Sequence, residues 1–195
     1  MAYNPNTIEG ELAGNRAVTS YDANMDAYMN EIVGPKGEGG YVDDPTDRGG
    51  ETKYGISKQQ YPDLDIASLT PEDAQNIYRT EFLGPIESNY GKNPIALKML
   101  DISINAGGPQ GTGIMQRALQ SLGYDVEDDM KMGPGTKKVY ETAMMEHGED
   151  AVLNALSESQ GDYYKGIVEQ DPSQKKFLGG WLNRAKRYGP GYQFE

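Results

Sequence analysis

The chain of 195 residues has no cysteine and a single histidine, His147. The lack of cysteine excludes disulfides, thiolate metal sites and cysteine nucleophiles. A catalytic zinc site needs at least two histidines or a thiolate substitute, so zinc-dependent hydrolysis is excluded as well. A Ser-His-Asp mechanism would have only His147 to use, and the residues before it are typical of a helix end. We predict that His147 is an exposed residue at a helix C-terminus, where a positive charge is mildly favoured.

Basic residues are scarce: 18 lysines and arginines stand against 30 acidic residues, and the formal charge is −12. Nucleic-acid binding relies on basic patches, so this composition argues against a nucleic-acid partner. The exception is the stretch 174–187, which has no acid and five basic residues: Lys175, Lys176, Arg184, Lys186 and Arg187. A basic face there would suit an anionic polymer, and a solvated helix face is the alternative.

Long apolar runs are missing too, because no window approaches the roughly 18 apolar residues of a membrane-spanning helix. The N-terminus also lacks a basic region followed by an apolar one, so the sequence predicts no signal peptide. We therefore expect the protein to accumulate in the cytoplasm where it is made. Residues 1–21 are polar with little periodicity, which indicates a flexible N-terminal arm or a docking segment.

The pattern of apolar residues predicts a mostly helical α+β fold with a small β-lobe. An apolar stripe over residues 21–33 predicts a first helix, ended by Gly34-Pro35. The glycine-rich stretch 39–57 has short alternating runs, which indicates a β-hairpin or a three-stranded sheet.

Further helices follow the glycine-rich stretch. Thr70-Pro71 marks the start of a helix, and this helix should end before Gly84-Pro85. From Pro94 onwards, apolar residues occupy nearly every face of the predicted helix, which indicates a buried central helix. More helices are expected near 109–122, 134–146, 150–169 and 174–187, and we expect Trp181 to lock the last of them to the central one.

Carboxyl groups are the remaining catalytic candidates, and Glu38 and Asp47 are the strongest pair. Glycosidic cleavage needs two carboxyls in different environments, one protonated and one ionised. Glu38 directly follows the first helix, where the helix dipole disfavours an acid, so a general acid kept protonated by partial burial would explain its position. Asp47 lies nine residues later, and it either serves catalysis or makes the turn before Gly49-Gly50.

Thr52 follows in a strand-like run, where it either orients a water molecule or is simply a β-branched strand residue. Asp43, Asp44 and Glu51 compete with Asp47 for the role of second carboxyl.

Four segments resemble glycoside hydrolase family 108, the phage and prophage N-acetylmuramidases. The first, EGGYVDDPTDRGGETKYGI at 38–56, resembles the family signature. DISINAG at 101–107 resembles its central helix, and GPGT at 133–136 resembles a motif of its peptidoglycan-binding half. FLGGWLNR at 177–184 resembles its closing helix. The four segments occur in the family's order, and the resemblance covers about residues 25 to 188.

The resemblance implies a lysozyme-like fold with a cleft between a small β-lobe and a helical lobe. It also implies hydrolysis of the β-1,4 bond between N-acetylmuramic acid and N-acetylglucosamine. No metal or cofactor is expected, because the acids at 38–51 and 125–129 do not have the spacing of a calcium-binding loop. In that reading Glu38 protonates the leaving oxygen, Asp47 activates water or stabilises the transition state, and Thr52 orients the water. Substrate-binding residues would be Tyr41, Tyr54, Asn105 and Gly107, although any single tyrosine is more often a packing residue.

The expected organisation is a lysozyme-like catalytic region at 22–107 and a helical, peptidoglycan-binding-like part at 108–195, packed as one domain. The partner is bacterial peptidoglycan, and the protein is expected to be a monomer. As an endolysin it would wait in the host cytoplasm until a holin opens the membrane, and then act on the wall in the periplasm. The alternatives are a lytic transglycosylase that leaves 1,6-anhydro ends, and a virion-associated cell-wall-binding protein.

Overall fold

The computed structural model describes residues 20–34, 40–43 and 50–192, which form a small sheet and a set of packed helices. In chain order the elements are α1 (Ser20–Ile32), β1 (Tyr41–Val42), β2 (Thr52–Lys53), β3 (Ile56–Ser57), α2 (Pro71–Ile77), α3 (Gly84–Tyr90), α4 (Pro94–Ala106), α5 (Gly108–Ser121), α6 (Pro134–His147), α7 (Glu149–Gln170) and α8 (Leu178–Lys186), with a π-helical segment at Tyr78–Leu83 and a 3-10 segment at Pro172–Phe177. The predicted mostly helical α+β fold is confirmed. Residues 1–19 of the predicted arm lie outside the described residues, and Ser20 and Tyr21 already belong to α1.

The sheet is antiparallel in the order β1-β2-β3 and follows α1 in the chain. Its second hairpin turns at Tyr54-Gly55, where both residues have positive φ, 54° and 75°. A two-residue loop with two left-handed residues matches the twist of the flanking strands, which explains such a tight turn between two-residue strands.

Helix α2 begins as predicted, with Thr70 as its N-cap. The Thr70 hydroxyl accepts from the Asp73 amide while the Asp73 carboxylate accepts from the Thr70 amide, which makes a capping box. The predicted helix end before Gly84-Pro85 is wrong. The chain instead widens into π-helical turns, where the amide of Gly84 donates to the carbonyl of Arg79. These wider turns accommodate Pro85, which lacks an amide hydrogen, and the chain continues as α3.

Helix α4 is the buried centre of the molecule, as predicted. Its side chains from Ile95 to Ser103 are all buried, and α1, α3, α5 and α7 pack around it. The side chain of Asn93 caps its first turn, and Gly107 ends it with a positive φ of 87°. Helix α6 ends at His147, which is exposed as predicted and lies edge-on to the ring of Tyr124.

The predicted helix 174–187 is divided into the 3-10 segment and α8. Two adjacent glycines, Gly179 and Gly180, lie in the first turn of α8, and glycine is a weak helix former. The expectation for Trp181 is also corrected. Its ring is half-buried and stacks on Tyr164 of α7 at 5.5 Å between centroids, so it fixes α8 to α7 rather than to α4.

Two charged residues of α4 bind groups near the C-terminal end of the chain. The ammonium of Lys98 is fully buried and donates to the carbonyls of Ala185 and Arg187 at 2.6 and 2.8 Å. These carbonyls lie at the C-terminus of α8, where a positive charge is favoured. One turn later, the carboxylate of Asp101 accepts from Arg184 Nη2 at 2.9 Å and from Nε at 3.3 Å.

The burial of Lys98 gives the stability of the protein a specific dependence on pH. Burial lowers the pKa of Lys98 from 10.5 to about 8. Between these values the unfolded chain holds a proton that the folded chain has released, so the contribution of this group to stability rises with pH. Compared with Lys98→Met, the wild type should gain about 2 kcal/mol in its free energy of unfolding between pH 8 and 10.

Urea unfolding of both proteins at several pH values from 7 to 10 measures this difference. The exposed Lys138 of α6 supplies the control, because Lys138→Met should differ from the wild type by a constant amount. A constant difference for Lys98→Met as well would contradict the prediction.

Candidate active site

The two predicted catalytic carboxyls, Glu38 and Asp47, lie outside the described residues, and the structure describes the chain on either side of each. Glu38 is in the connection between α1 and β1, which the structure describes up to Gly34 and again from Gly40. Asp47 is in the connection between β1 and β2, which is described up to Asp43 and again from Gly50.

The last turn of α1, which leads to Glu38, is anchored from two sides. The Gln75 side chain of α2 donates to the Met29 carbonyl at 3.3 Å and to the Asn30 side chain at 3.0 Å. From the opposite end of the sequence, Arg187 forms an ion pair with Glu31. Both contacts fix the backbone a few residues before Glu38.

Aromatic packing strengthens the second anchor. The ring of Tyr188 packs edge-on against Tyr28 of α1, with centroids 5.3 Å apart. Just beyond the helix, a Cβ at Gly34 would lie 2.9 Å from the carbonyl oxygen of Asn30. The chain can therefore leave α1 in this direction only with glycine at that position.

The strand register places the predicted sheet residues on different faces. Tyr41 is opposite Lys53, and Val42 is opposite Thr52. Neighbouring residues of a strand point to opposite faces, so Tyr41 and Thr52 lie on opposite sides of the sheet. The structure therefore does not bring these two predicted site residues together on one surface.

Tyr41 is 48% exposed and bound to an acid. Its hydroxyl donates to Glu51 Oε1 at 2.8 Å. The hydrogen bond to Glu51 raises the pKa of Tyr41 to about 12, so the phenol stays protonated at neutral pH. Glu51, which the sequence offered as an alternative second carboxyl, is thus paired with a neutral donor.

Thr52 and Tyr54 both have local structural partners. The Thr52 hydroxyl donates to the carbonyl of Gly50 at 3.1 Å, which stabilises the start of β2. Tyr54 occupies the turn, and its carbonyl accepts from the Tyr78 hydroxyl at 2.7 Å, which ties the sheet to the π-helical segment. The ring of Tyr54 also lies 5.5 Å from the ammonium of Lys53.

Asn105 and Gly107 lie where α4 ends and α5 begins. Asn105 is exposed, and its amide nitrogen donates to the carbonyl of Asp101 at 2.8 Å. Gly107 donates to Ser103 and accepts from Gly111, so it ends one helix and starts the next. Its positive φ accounts for glycine at this position without a ligand.

The sequence did not lead us to predict the buried charged residues of α4. Lys98 and Asp101 lie three residues apart in a mainly apolar helix. This spacing is the feature of the sequence that indicates them, because charged residues are rarely buried unless paired. The basic stretch 174–187 is also not a uniform face. Arg184 and Arg187 turn inward to Asp101 and Glu31, whereas Lys175, Lys176 and Lys186 are exposed.

Within residues 20–34, 40–43 and 50–192, no group of three or more histidine, aspartate or glutamate side chains is arranged to hold a metal ion. None of the helices in that part of the chain is long and apolar enough to cross a membrane.

A small antiparallel sheet follows the first helix, and a helical body surrounds a buried central helix. This architecture is the lysozyme-like α+β fold. The chain is similar to a solved structure titled "Structure of Brucella abortus SagA", with a TM-score of 0.63 and 22% identity over 85% of this chain and 91% of that chain. This likeness concerns the fold.

Two family models match successive parts of the chain. Residues 32–107 match the family described as Glycosyl hydrolase 108, and residues 110–186 match the family described as Predicted Peptidoglycan domain. The chain therefore carries a glycosyl hydrolase family 108 region followed by a peptidoglycan domain, as its sequence motifs indicate. It is a glycoside hydrolase. No curated protein matches it.

The pair of Asp101 and Arg184 should contribute strongly to stability, because the Asp101 side chain is 1% exposed and the Arg184 side chain 29%. Asp101→Asn leaves the guanidinium without a counter-charge and should cost about 3 kcal/mol of unfolding free energy. The control is Arg79→Met, which breaks an exposed ion pair with Asp26 and should cost less than about 1 kcal/mol. Urea unfolding measures both values, and equal small losses would contradict the prediction.

Proposed function

We propose that this protein is an N-acetylmuramidase, which hydrolyses the β-1,4 bond between N-acetylmuramic acid and N-acetylglucosamine in peptidoglycan. The observation that carries the proposal is the Glycosyl hydrolase 108 match over residues 32–107, which includes Glu38, Asp47 and Thr52. The peptidoglycan domain at 110–186 supports the choice of polymer.

In the proposed reaction, Glu38 protonates the oxygen of the leaving sugar as the glycosidic bond breaks. Asp47 activates a water molecule for attack on the anomeric carbon, or stabilises the positive charge that develops there. Thr52 helps to orient that water. The anchored last turn of α1 supports this assignment, since a general acid acts only when it is held within hydrogen-bond reach of its target.

Substrate contacts are assigned to exposed and half-buried residues of both lobes. Tyr54 offers its ring to a sugar from the turn of the sheet. Tyr41 lies on the face opposite to Thr52, so its ring is assigned to a sugar away from the reacting bond. Asn105 uses its amide nitrogen within its own helix, which leaves the amide oxygen to accept from the N–H of an acetamido group. Gly107 brings the backbone close to the sugar at the corner between α4 and α5.

We further propose that the enzyme is a phage or prophage endolysin. It acts as a monomer on the bacterial wall after a holin has opened the membrane, or as a virion component at entry. The nearest alternative reaction is that of a lytic transglycosylase, which uses one glutamate and no water. In that case Asp47 would have no role in the chemistry.

The first test is mass spectrometry of purified Gram-negative peptidoglycan digested by wild type and by Glu38→Gln. The wild type should release products with reducing muramic acid ends, and Glu38→Gln should lower the rate by at least about 100-fold, the smallest loss typical of a missing general acid. Glu141→Gln, an exposed acid of α6, serves as the matched control and should keep full activity. Equal products from wild type and Glu38→Gln would refute the role of Glu38.

A second variant separates hydrolysis from transglycosylation. Asp47→Asn should also lower the rate by about 100-fold or more, because the attacking water loses its base or the transition state loses its counter-charge. An almost unchanged rate, together with 1,6-anhydro ends in the products, would assign the enzyme to the lytic transglycosylases.

A further inference from the structure

Helices α5 and α7 of the peptidoglycan domain enclose a surface groove of about 620 Å³. Its volume is in the range of sites that hold small ligands. The residues that matter for its chemistry are Gln110 and Arg117 from α5, and Glu158, Asp162, Tyr163 and Gln170 from α7. The groove therefore has two walls, each built by one helix.

Charges of opposite sign face the groove from its two walls. Arg117 comes from α5, whereas Glu158 and Asp162 are four residues apart on α7 and thus lie on the same helix face. Amides at Gln110 and Gln170 add hydrogen-bonding groups. A ligand complementary to this groove has both a carboxylate and an ammonium group. A bare glycan strand has no ammonium group, and the one aromatic ring, that of Tyr163, gives sugars little to stack on.

Arg117 is held in place before any ligand arrives. Its Nη1 donates to Asp128 at 2.7 Å, and its side chain stays 31% exposed. The loop that carries Asp128 is fixed by the buried Gln116, which donates to Asp129 and accepts from the amide of Met130. Arg117 has further donors in its planar fork, which suit a carboxylate.

Gly113 of α5 makes room for this pair. A Cβ at position 113 would lie 3.0 Å from Asp128 Oδ1 and 3.2 Å from Arg117 Nη1. Glycine within a helix costs about 1 kcal/mol relative to alanine. The ion pair lies so close to α5 that a Cβ at position 113 would crowd it, which explains the presence of glycine there despite its cost.

The groove lies at a fitting distance from the proposed sugar site. Gly107 directly precedes α5, and Arg117 is ten residues further along that helix, which corresponds to about 15 Å. An extended peptide of four or five residues spans about 13–18 Å. A peptide attached to a sugar at the Asn105–Gly107 corner would therefore reach Arg117.

We propose that the groove between α5 and α7 binds the peptide branch of peptidoglycan. Arg117 binds a carboxylate of that peptide. Glu158 binds the ammonium group of its diamino acid residue, together with Asp162, whose carboxylate also accepts from Lys165 at 2.7 Å. The inference rests on the proposed function for the polymer, and it adds the part of the polymer that the peptidoglycan domain recognises.

The test compares two substrates: intact peptidoglycan, and the same material stripped of its peptides by an amidase. Arg117→Met and the double variant Glu158→Gln/Asp162→Asn should each raise KM about tenfold on intact peptidoglycan, the effect of losing one charge-assisted hydrogen bond. On stripped glycan neither should change KM, and kcat should stay unchanged on both substrates. Lys138→Gln on α6 is the control and should leave every value unchanged.

Equal rises of KM on both substrates would overturn the proposal, because the groove would then bind glycan. Unchanged KM values on both would overturn it as well. If the wild type cleaves neither substrate, the proposed function fails, and a calorimetric titration with the soluble stem tetrapeptide decides about the groove independently. Binding by the wild type that both groove variants lose supports the groove, and no binding refutes it.

Discussion

The burial of two opposite charges in the central helix is the constraint on which the rest of the structure depends. Moving an ammonium or a carboxylate out of water costs several kcal/mol unless other groups replace the lost hydration. Lys98 finds those groups at the end of the chain, in the carbonyls of Ala185 and Arg187. Asp101 finds its charged partner there too, in Arg184, and also accepts from the Tyr28 hydroxyl of α1 at 3.5 Å. Helix α4 can therefore be stable in this form only when α8 is docked on it, and α8 belongs to the peptidoglycan domain.

The same docking reaches the first helix. Beyond α8 the chain continues to Arg187 and Tyr188, which contact Glu31 and Tyr28 near the end of α1. The general acid proposed for this enzyme follows that helix by a few residues. The region that matches a peptidoglycan domain is therefore also part of the scaffold that holds the catalytic half, and its removal would expose buried charges as well as remove a binding surface.

The sequence predicts those features that local interactions decide. The start of α2 follows from the Thr70 capping box, and the burial of α4 follows from its apolar residues. The predictions fail where a distant partner decides the outcome. Whether Arg184 faces solvent or turns inward depends on Asp101, which is 83 residues away. The signature that resembles glycoside hydrolase family 108 identifies Glu38 and Asp47 by their residue types, and no pattern in the sequence determines the distance between their carboxyl groups.

The sheet imposes a choice among the proposed site residues. Tyr41 and Thr52 lie on opposite faces, so a glycan strand that follows one face contacts only one of them. The Tyr41 hydroxyl is bound to Glu51. Ile56 of β3 shares the face of Tyr41, with Lys53 of β2 between them, and it is buried in the core. These contacts explain Tyr41 as a residue that shapes the edge of the sheet. Thr52 shares its face with Ser57, and two hydroxyls on one surface are better suited to hold a water molecule than a single ring. We therefore expect the face of Thr52, rather than that of Tyr41, to be turned towards the reacting bond.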